Sequence, residues 1–206
     1  MKKILLFTLT TFVSLMFSGC GFVTYTSGLN VDELPQEKDS IIFLSATKNN
    51  DVLNKQVIFK MSLTNLETKD SEILRGRICH IREGGVLVEL IGLPKNQIEE
   101  SETCGNLTVA KLSPGKYKIE KIHIIESTER YERLFKFDLK EETIIDLVDN
   151  KVHYLGHIES YFFKRARNMY SGKMSIKNNF KKDKSLLLKT YTQLKDYEFL
   201  TNLVNN

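Results

Sequence analysis

The sequence predicts a mainly β protein, an antiparallel β-sandwich of about eight or nine strands followed by a C-terminal amphipathic helix. The first observation behind this fold class is a series of short segments, starting near residue 41, in which apolar residues recur at every second position. Turn residues separate these segments at short intervals, which is typical of sandwiches. The second is that the apolar spacing changes to three and four residues after Asp183, as on one face of a helix.

The clearest strand covers residues 56–65, where Val57, Phe59, Met61 and Leu63 share one face. Such alternation predicts one buried face and one exposed face in an antiparallel sheet. The other predicted strands are 41–47, 73–81, 86–91, 107–112, 117–126, 135–139, 144–148, 152–163 and a weaker one at 174–176.

Turn residues predict how these strands are connected. Pro114 and Gly115 suit the two central positions of a type II turn, because proline presets the first and glycine accepts the positive φ of the second. Gly84-Gly85 and Asp149-Asn150 predict two more turns.

The segment 117–126 has an irregular apolar pattern. Its apolar phase starts on Tyr117 and Ile119 and then switches to Ile122 and Ile124. A β-bulge near Lys121, or burial of both faces, would explain this switch.

The C-terminal helix is predicted to begin at Asp183, which would serve as the N-cap, and to break near Asp196. The apolar residues that define its buried face are Leu187, Tyr191, Leu194, Tyr197, Leu200 and Val204.

The N-terminus has the parts of a secretory signal peptide: two lysines, an apolar run over 4–17 and small residues before Cys20. The run is shorter than the ~20 residues of a membrane-spanning helix. The tetrapeptide from Phe17 to Cys20 resembles the bacterial lipobox, with phenylalanine where leucine is usual. This resemblance implies cleavage before Cys20 and acylation of that cysteine, and Gly21 in place of aspartate implies the outer membrane.

These features divide the chain into a signal peptide (1–19), a lipidated tether (20–40), a β-sandwich domain (41–180) and a helix (181–206). The tether is predicted because residues 21–40 are polar, contain Gly, Ser and Pro, and show no sustained period.

The formal charge of +4 falls to +2 once the two lysines of the signal are removed. This charge is too small to indicate a nucleic-acid partner.

Assigning Cys20 to lipid leaves Cys79 and Cys104. In an oxidising compartment an even pair predicts a disulfide, which would contribute roughly 3 kcal/mol by loop-closure entropy. The polar stretch 92–105 is predicted to be a long loop, so the bridge would hold this loop against the preceding hairpin. Two free buried thiols are the alternative, and the paired spacing of a zinc site is absent.

Two motifs resemble those of a known fold. The turn from Leu112 to Tyr117 (LSPGKY) is similar to the hairpin of transthyretin-like and carboxypeptidase-regulatory-like sandwiches. Together with the segment 151–156 (KVHYLG), it resembles a loose group of bacterial lipoproteins of unknown function. The resemblance spans about residues 75–165, implies a sandwich fold and brings no catalytic residues with it.

We predict no catalytic residues, no metal site and no cofactor, because no enzyme motif occurs in the sequence. A phosphate loop, a G-x-S-x-G elbow and an H-E-x-x-H helix are all absent. His153 and His157 are the best metal candidates, but on a strand they would lie about 13 Å apart. With Glu159 they are predicted to form a polar row that faces solvent on one side of the strand.

A basic stretch offers a possible binding surface for anionic lipid or an acidic partner. Its proposed members are Lys164, Arg165, Arg167, Lys173, Lys177, Lys181 and Lys182. An ordinary solvated surface is the alternative.

The function predicted from these features is that of a membrane-anchored envelope lipoprotein acting as a non-enzymatic binding or structural module. Its partners would be the membrane, through the acyl chains, and a protein or other envelope component. The first alternative is a small envelope hydrolase or ligand-binding protein with a dispersed site. The second is an accessory lipoprotein of a larger envelope or secretion assembly.

Overall fold

A computed structural model describes residues 23–26, 38–49, 56–80, 97–100, 103–127, 132–139, 141–166 and 169–204. Within these ranges the chain forms strands, one α-helix and one short 3₁₀ helix. The strands are β1 (Val23–Thr26), β2 (Ser40–Asn49), β3 (Gln56–Asn65), β4 (Ser71–His80), β5 (Gln97–Glu100), β6 (Thr103–Leu112), β7 (Gly115–Ser127), β8 (Glu132–Phe137), β9 (Thr143–Leu147), β10 (Lys151–Ala166), β11 (Met169–Lys177) and β12 (Glu198–Thr201). The helices are α1 (Phe180–Thr190) and a 3₁₀ turn (Thr192–Leu194).

The strands form two sheets, and the predicted mainly β sandwich is confirmed. Sheet A has the order β1-β4-β3-β7-β8, with β9 also paired to β7. Sheet B has the order β11-β10-β2-β6-β5, with β12 also paired to β10. Most neighbours are antiparallel as predicted, but β1 with β4, β2 with β10, and β10 with β12 are parallel.

The main core lies between the two sheets. The predicted inward face of β3 is confirmed, since Phe59, Met61 and Leu63 are all fully buried. Strand β2 is buried on both faces: Ile42 and its alternate neighbours join this core. Its other face, with Phe43, packs under α1. The molecule therefore has three layers, in the order sheet A, sheet B and helix.

The bulge predicted near Lys121 is confirmed. In the pairing of β3 with β7, Ser62 lies opposite Lys121 whereas Leu63 lies opposite Ile119. Glu120 is thus the extra residue on β7. The bulge changes the phase of the strand, so that Ile119 and Ile122 both reach the core.

The predicted extent of the C-terminal helix is wrong. Helix α1 ends at Thr190, and Leu200 belongs to β12. Strand β11 pairs with β10 only from His157 onward. The same edge of β10 is therefore open over residues 151–154, where β12 pairs with it. The helical spacing holds only for the first half of the predicted segment, where Leu187 packs on sheet B.

Two segments predicted as irregular contain strands. Strand β5 and the start of β6 lie in the polar stretch predicted as a loop, and they pair with each other. Strand β1 lies in the predicted tether and pairs with β4 in sheet A.

The predicted strand at 86–91 lies outside the described residues, as do Cys20 and the signal peptide. Among the helices that the structure describes, none has the length and apolar content needed to cross a membrane.

The two remaining cysteines lie in different sheets. Cys79 is in β4 of sheet A, and Cys104 is in β6 of sheet B. These two strands pack against each other across the core, where a Cβ added at Gly76 would lie 2.1 Å from Thr108 Oγ1. A disulfide would therefore join the two sheets instead of holding a loop to a hairpin. Its formation stays a prediction.

Candidate functional site

Three polar side chains that are distant in sequence meet on the outer face of sheet B, beneath α1. They are Ser45 of β2, His157 of β10 and Asp183 of α1. The Ser45 Oγ lies 2.6 Å from His157 Nδ1 and 2.5 Å from Asp183 Oδ2. All three are buried, with exposed fractions of 0%, 6% and 1%. The described residues therefore include a compact serine–histidine–aspartate cluster.

A bulge in β10 places His157 in this cluster. Tyr154 lies opposite Phe43 on β2, whereas His157 lies opposite Ser45, so β10 has one extra residue between these pairs. Gly156 lies within this irregularity and has a φ of +126°, which non-glycine residues rarely adopt. The bulge brings Tyr154 and His157 to the same face, although they are three residues apart.

The hydrogen bonds of the cluster run in one direction. Ser45 and Tyr154 both donate to Asp183 Oδ2, at 2.5 and 2.6 Å. Because the single hydroxyl proton of Ser45 is used in this bond, its oxygen accepts from the Nδ1–H of His157. The Nε2 of the ring then accepts from the Thr47 hydroxyl at 3.0 Å. The hydroxyl of Ser45 and both ring nitrogens of His157 thus have hydrogen-bond partners, as buried polar groups require.

Electrostatics keep the imidazole neutral. Burial lowers the pKa of His157, and the nearby ammonium groups of Lys182 and Lys177 act in the same direction. The carboxylates of Asp183 and Glu159 oppose this shift without overcoming it. Burial also raises the pKa of Tyr154, and the neighbouring Asp183 raises it further. His157 is thus a neutral hydrogen-bond relay at pH 7.

This cluster differs from a hydrolytic triad. In a triad the histidine lies between the serine and the aspartate and takes the serine proton. Here the serine lies between the other two and donates its proton to Asp183, while the Asp183 Oδ2 is 3.8 Å from His157 Nδ1. The serine is also fully buried. The arrangement is suited to joining α1 to sheet B.

The predicted solvent-facing row of His153, His157 and Glu159 is wrong. His153 is fully buried on the opposite face of β10, with Nε2 3.1 Å from the Val148 carbonyl oxygen. The bulge at Gly156 causes this separation. His157 is buried under the helix, and Glu159 is half-buried and pairs with Lys177 at 2.6 Å. Within the described ranges, no cluster of His, Cys, Asp or Glu is suited to hold a metal ion.

The predicted basic surface is divided between several places. Arg165, Lys173 and Lys177 share the outer face of β10 and β11, while Lys164 lies on the other face of β10. Lys181 and Lys182 are exposed in the first turn of α1. Arg167 lies outside the described residues.

The outer face of β10 and β11 also carries aromatic side chains. Tyr161 is 46% exposed and lies directly opposite Lys173. The Arg165 guanidinium lies 5.6 Å from the centre of the Phe163 ring, within the range of a cation–π interaction. We call Tyr161, Phe163, Arg165 and Lys173 the aromatic–basic surface.

Comparisons with known proteins identify no family for this chain. No family model matches it, and no curated protein matches it. Among solved structures, a leucine-rich repeat protein from Bacteroides thetaiotaomicron aligns with a TM-score of 0.34 and 7% sequence identity. The alignment covers 60% of this chain and only 14% of that protein. A likeness of this size supports no conclusion about fold or function.

The sequence did not reveal the Ser45–His157–Asp183 cluster. Along the chain, Ser45 is 112 residues from His157 and 138 residues from Asp183. No sequence motif joins the three residues. One local signal was available. The run from Ile41 to Thr47 is mostly apolar at both odd and even positions, which is typical of a strand buried on both faces. A serine inside such a run needs a buried partner.

Stability is expected to decrease as the pH falls below about 6.5, the pKa of histidine in an unfolded chain. Burial lowers the pKa values of His153 and His157 in the folded state. The unfolded chain therefore binds more protons, and each histidine contributes a loss of up to about 1.4 kcal/mol per pH unit. The stability is fully present above this pH and is lost as the pH falls towards the folded pKa values. Urea unfolding between pH 8 and pH 5, roughly the range over which histidines titrate, measures the slope.

The matched variant for this experiment is His157→Gln. It keeps a side chain that hydrogen-bonds but cannot titrate, so the pH slope is expected to become shallower by the contribution of one proton. His153 and His123, whose pKa values are also lowered in the folded state, are unchanged in this variant and supply the remaining slope. An identical slope in the variant would contradict the assignment to His157.

Proposed function

We propose that this chain is a lipid-anchored envelope protein that binds a protein partner and catalyses no reaction. The lipobox-like sequence before Cys20 supports an acyl anchor, and the residue after it supports an outer-membrane location. The closed hydrogen bonding of Ser45, His157 and Asp183 favours a structural role for this cluster, although it contains the residue types of a hydrolase. This arrangement argues against Ser45 as a hydrolytic nucleophile.

The observation that carries the proposal is the aromatic–basic surface. Tyrosine and arginine are enriched where protein partners dock, since they combine a large contact area with hydrogen bonding. Tyr161 is exposed, and Lys173 lies directly opposite it on the neighbouring strand. The positive charge of Arg165 and Lys173 favours an acidic partner. An accessory role in a larger assembly would use the same surface.

Photo-crosslinking in the native envelope tests this surface. A photoreactive phenylalanine analogue at Tyr161 is expected to give a crosslinked species with another protein. The control places the same analogue at Ile144, which is 50% exposed on β9 of sheet A, and it should give no such species. The variant Arg165→Glu/Lys173→Glu should abolish the crosslink at Tyr161. Equal crosslinking at both positions, or a crosslink that survives the charge reversal, would contradict the proposal.

A further inference from the structure

Four basic side chains form a row across the outer face of sheet A. Arg75 on β4 lies opposite Lys60 on β3, Lys60 lies opposite His123 on β7, and His123 lies opposite Lys136 on β8. Their chain neighbours, such as Phe59, point into the core, so the row faces outward. We call these four residues the basic row. Their sequence positions are far apart, and only strand pairing brings them together.

The lysines and the arginine of the basic row are not balanced by ion pairs. Lys121 lies on the same face as the basic row, and Arg77 lies opposite Ile58 at its margin. Among the described residues, Lys60, Arg75, Lys121 and Lys136 form no ion pair. Like charges that face each other across strands are destabilising. Lys60 and Arg75 face each other in this way, so this pair costs stability unless an anionic surface lies against it.

The pKa of His123 reflects this field. Partial burial lowers it, and the charges of Lys136, Lys121 and Lys60 lower it further. Asp138, exposed just beyond β8, opposes the shift without reversing it. The positive potential thus extends over three strands of the sheet.

An apolar row runs beside the basic row. Ile58, Ile125 and Leu134 lie opposite one another on β3, β7 and β8. Leu134 is 47% exposed, Ile125 is half-buried and Ile58 is only 8% exposed, so the row contacts solvent mainly at its β8 end. A surface that combines lysine and arginine with adjacent exposed apolar groups is typical of proteins that lie in the membrane interface.

The position of β1 brings this face close to the proposed acyl anchor. Strand β1 begins at Val23 and pairs with β4 at the edge of sheet A. Only two residues separate Cys20 from Val23, and an extended chain spans at most about 3.6 Å per residue. A domain on so short a connection stays near the headgroups, whereas a flexible tether would let it move away.

We propose that the outer face of sheet A rests on the anionic phospholipid surface of the membrane, with the basic row on the headgroups and the apolar row at the interface. This inference rests on the proposed acyl anchor. An acidic protein would satisfy the charge of the row, but the apolar row and the short connection to Cys20 favour a bilayer. The aromatic–basic surface lies on the other sheet and stays available to a partner.

The test uses the full acylated chain bound to phosphatidylcholine vesicles and to vesicles that also contain phosphatidylglycerol. An amine-reactive label then reports the exposure of each lysine. In the anionic vesicles, labelling of Lys60, Lys121 and Lys136 is expected to fall at least about fivefold, and high salt should restore it. Labelling of the exposed lysines Lys189 and Lys195 should be equal in both vesicles.

Charge-reversed variants make the test specific. Lys60→Glu/Arg75→Glu/Lys136→Glu is expected to lose the protection at Lys121, because the headgroups then repel the face. The matched control, Lys181→Glu/Lys189→Glu/Lys195→Glu, carries the same change in net charge at exposed positions on and after α1 and should keep the protection. Equal effects of the two variants would show that net charge alone matters and would overturn the proposal.

The outcomes separate the two proposals. Failure of the acylated chain to float with neutral vesicles would refute the acyl anchor, and the labelling in anionic vesicles would still decide the role of sheet A. Flotation with both vesicle types and equal labelling of Lys60, Lys121 and Lys136 would overturn the sheet A surface alone. Protection by a soluble acidic peptide but not by anionic vesicles would also overturn it.

Discussion

Replacing Asp183 with alanine is expected to lower the free energy of unfolding by about 3 kcal/mol. The substitution leaves the hydroxyl groups of Ser45 and Tyr154 buried without their acceptor. It also removes the link between α1 and sheet B. Chemical unfolding followed by circular dichroism measures the change. Asp183→Asn should have a smaller effect, because the amide oxygen can still accept a hydrogen bond.

A control and a second cluster variant complete this test. The control, Asp196→Ala, removes an exposed aspartate outside the cluster and is expected to change the free energy of unfolding by less than about 0.5 kcal/mol. Ser45→Ala should destabilise the protein by about 1–3 kcal/mol, since it leaves His157 Nδ1–H without its acceptor. If either Asp183→Ala or Ser45→Ala left the free energy of unfolding unchanged, the structural role of the cluster would be contradicted and a catalytic role favoured.

Gly156→Ala is expected to destabilise the protein by about 2–4 kcal/mol for two reasons. The φ of +126° is strained for any residue with a Cβ, which costs of order 1–3 kcal/mol. The added Cβ would also lie 2.7 Å from the Ile176 Cγ2 on β11. Because the bulge sets the phase of β10, the variant should also disturb the His157 hydrogen bonds. The imidazole resonances and the unfolding midpoint measure these two effects.

The packing and backbone contributions at Gly156 can be separated. Ile176→Ala removes the close contact, so the double variant Gly156→Ala/Ile176→Ala should lose less stability than the sum of the two single changes. Gly115→Ala serves as a comparison, because its φ is +138° but its nearest contact is a longer 3.2 Å. If Gly156→Ala were no worse than a surface substitution, the bulge would not hold His157 in place.

The parts of the fold that follow from local pattern were predictable. The bounds of β3 were predicted to the residue, because one face is apolar and contacts the core along its length, while Lys60, Ser62 and Thr64 on the other face are partly exposed. The bulge at Glu120 was predictable for the same reason, since apolar residues on both sides of it must reach one core. The turn at Asp149-Asn150 is also confirmed, with Asn150 at a φ of +54°.

The errors have a common physical cause. Helical spacing in 187–204 predicted helix on both sides of a break near Asp196, but residues 198–201 form a strand, because the free edge of β10 offers them backbone hydrogen bonds. Aspartate is a favoured N-cap residue, yet Asp183 lies inside α1. Its carboxylate accepts hydrogen bonds from Ser45 on β2 and Tyr154 on β10. Polar composition predicted a tether, while an edge of sheet A offered β1 a partner. In each case a distant strand outweighed a local preference.

The sequence by itself determined the alternation that makes a β-sandwich, the positions of most strands and the lipobox-like cysteine from which the acyl anchor is inferred. These properties depend on residues that are neighbours in the chain. Only the tertiary structure decided that Ser45, His157 and Asp183 share one buried cluster and that Lys60, Arg75, His123 and Lys136 form one row. Both depend on strand register, which is set by packing between segments that are distant in sequence.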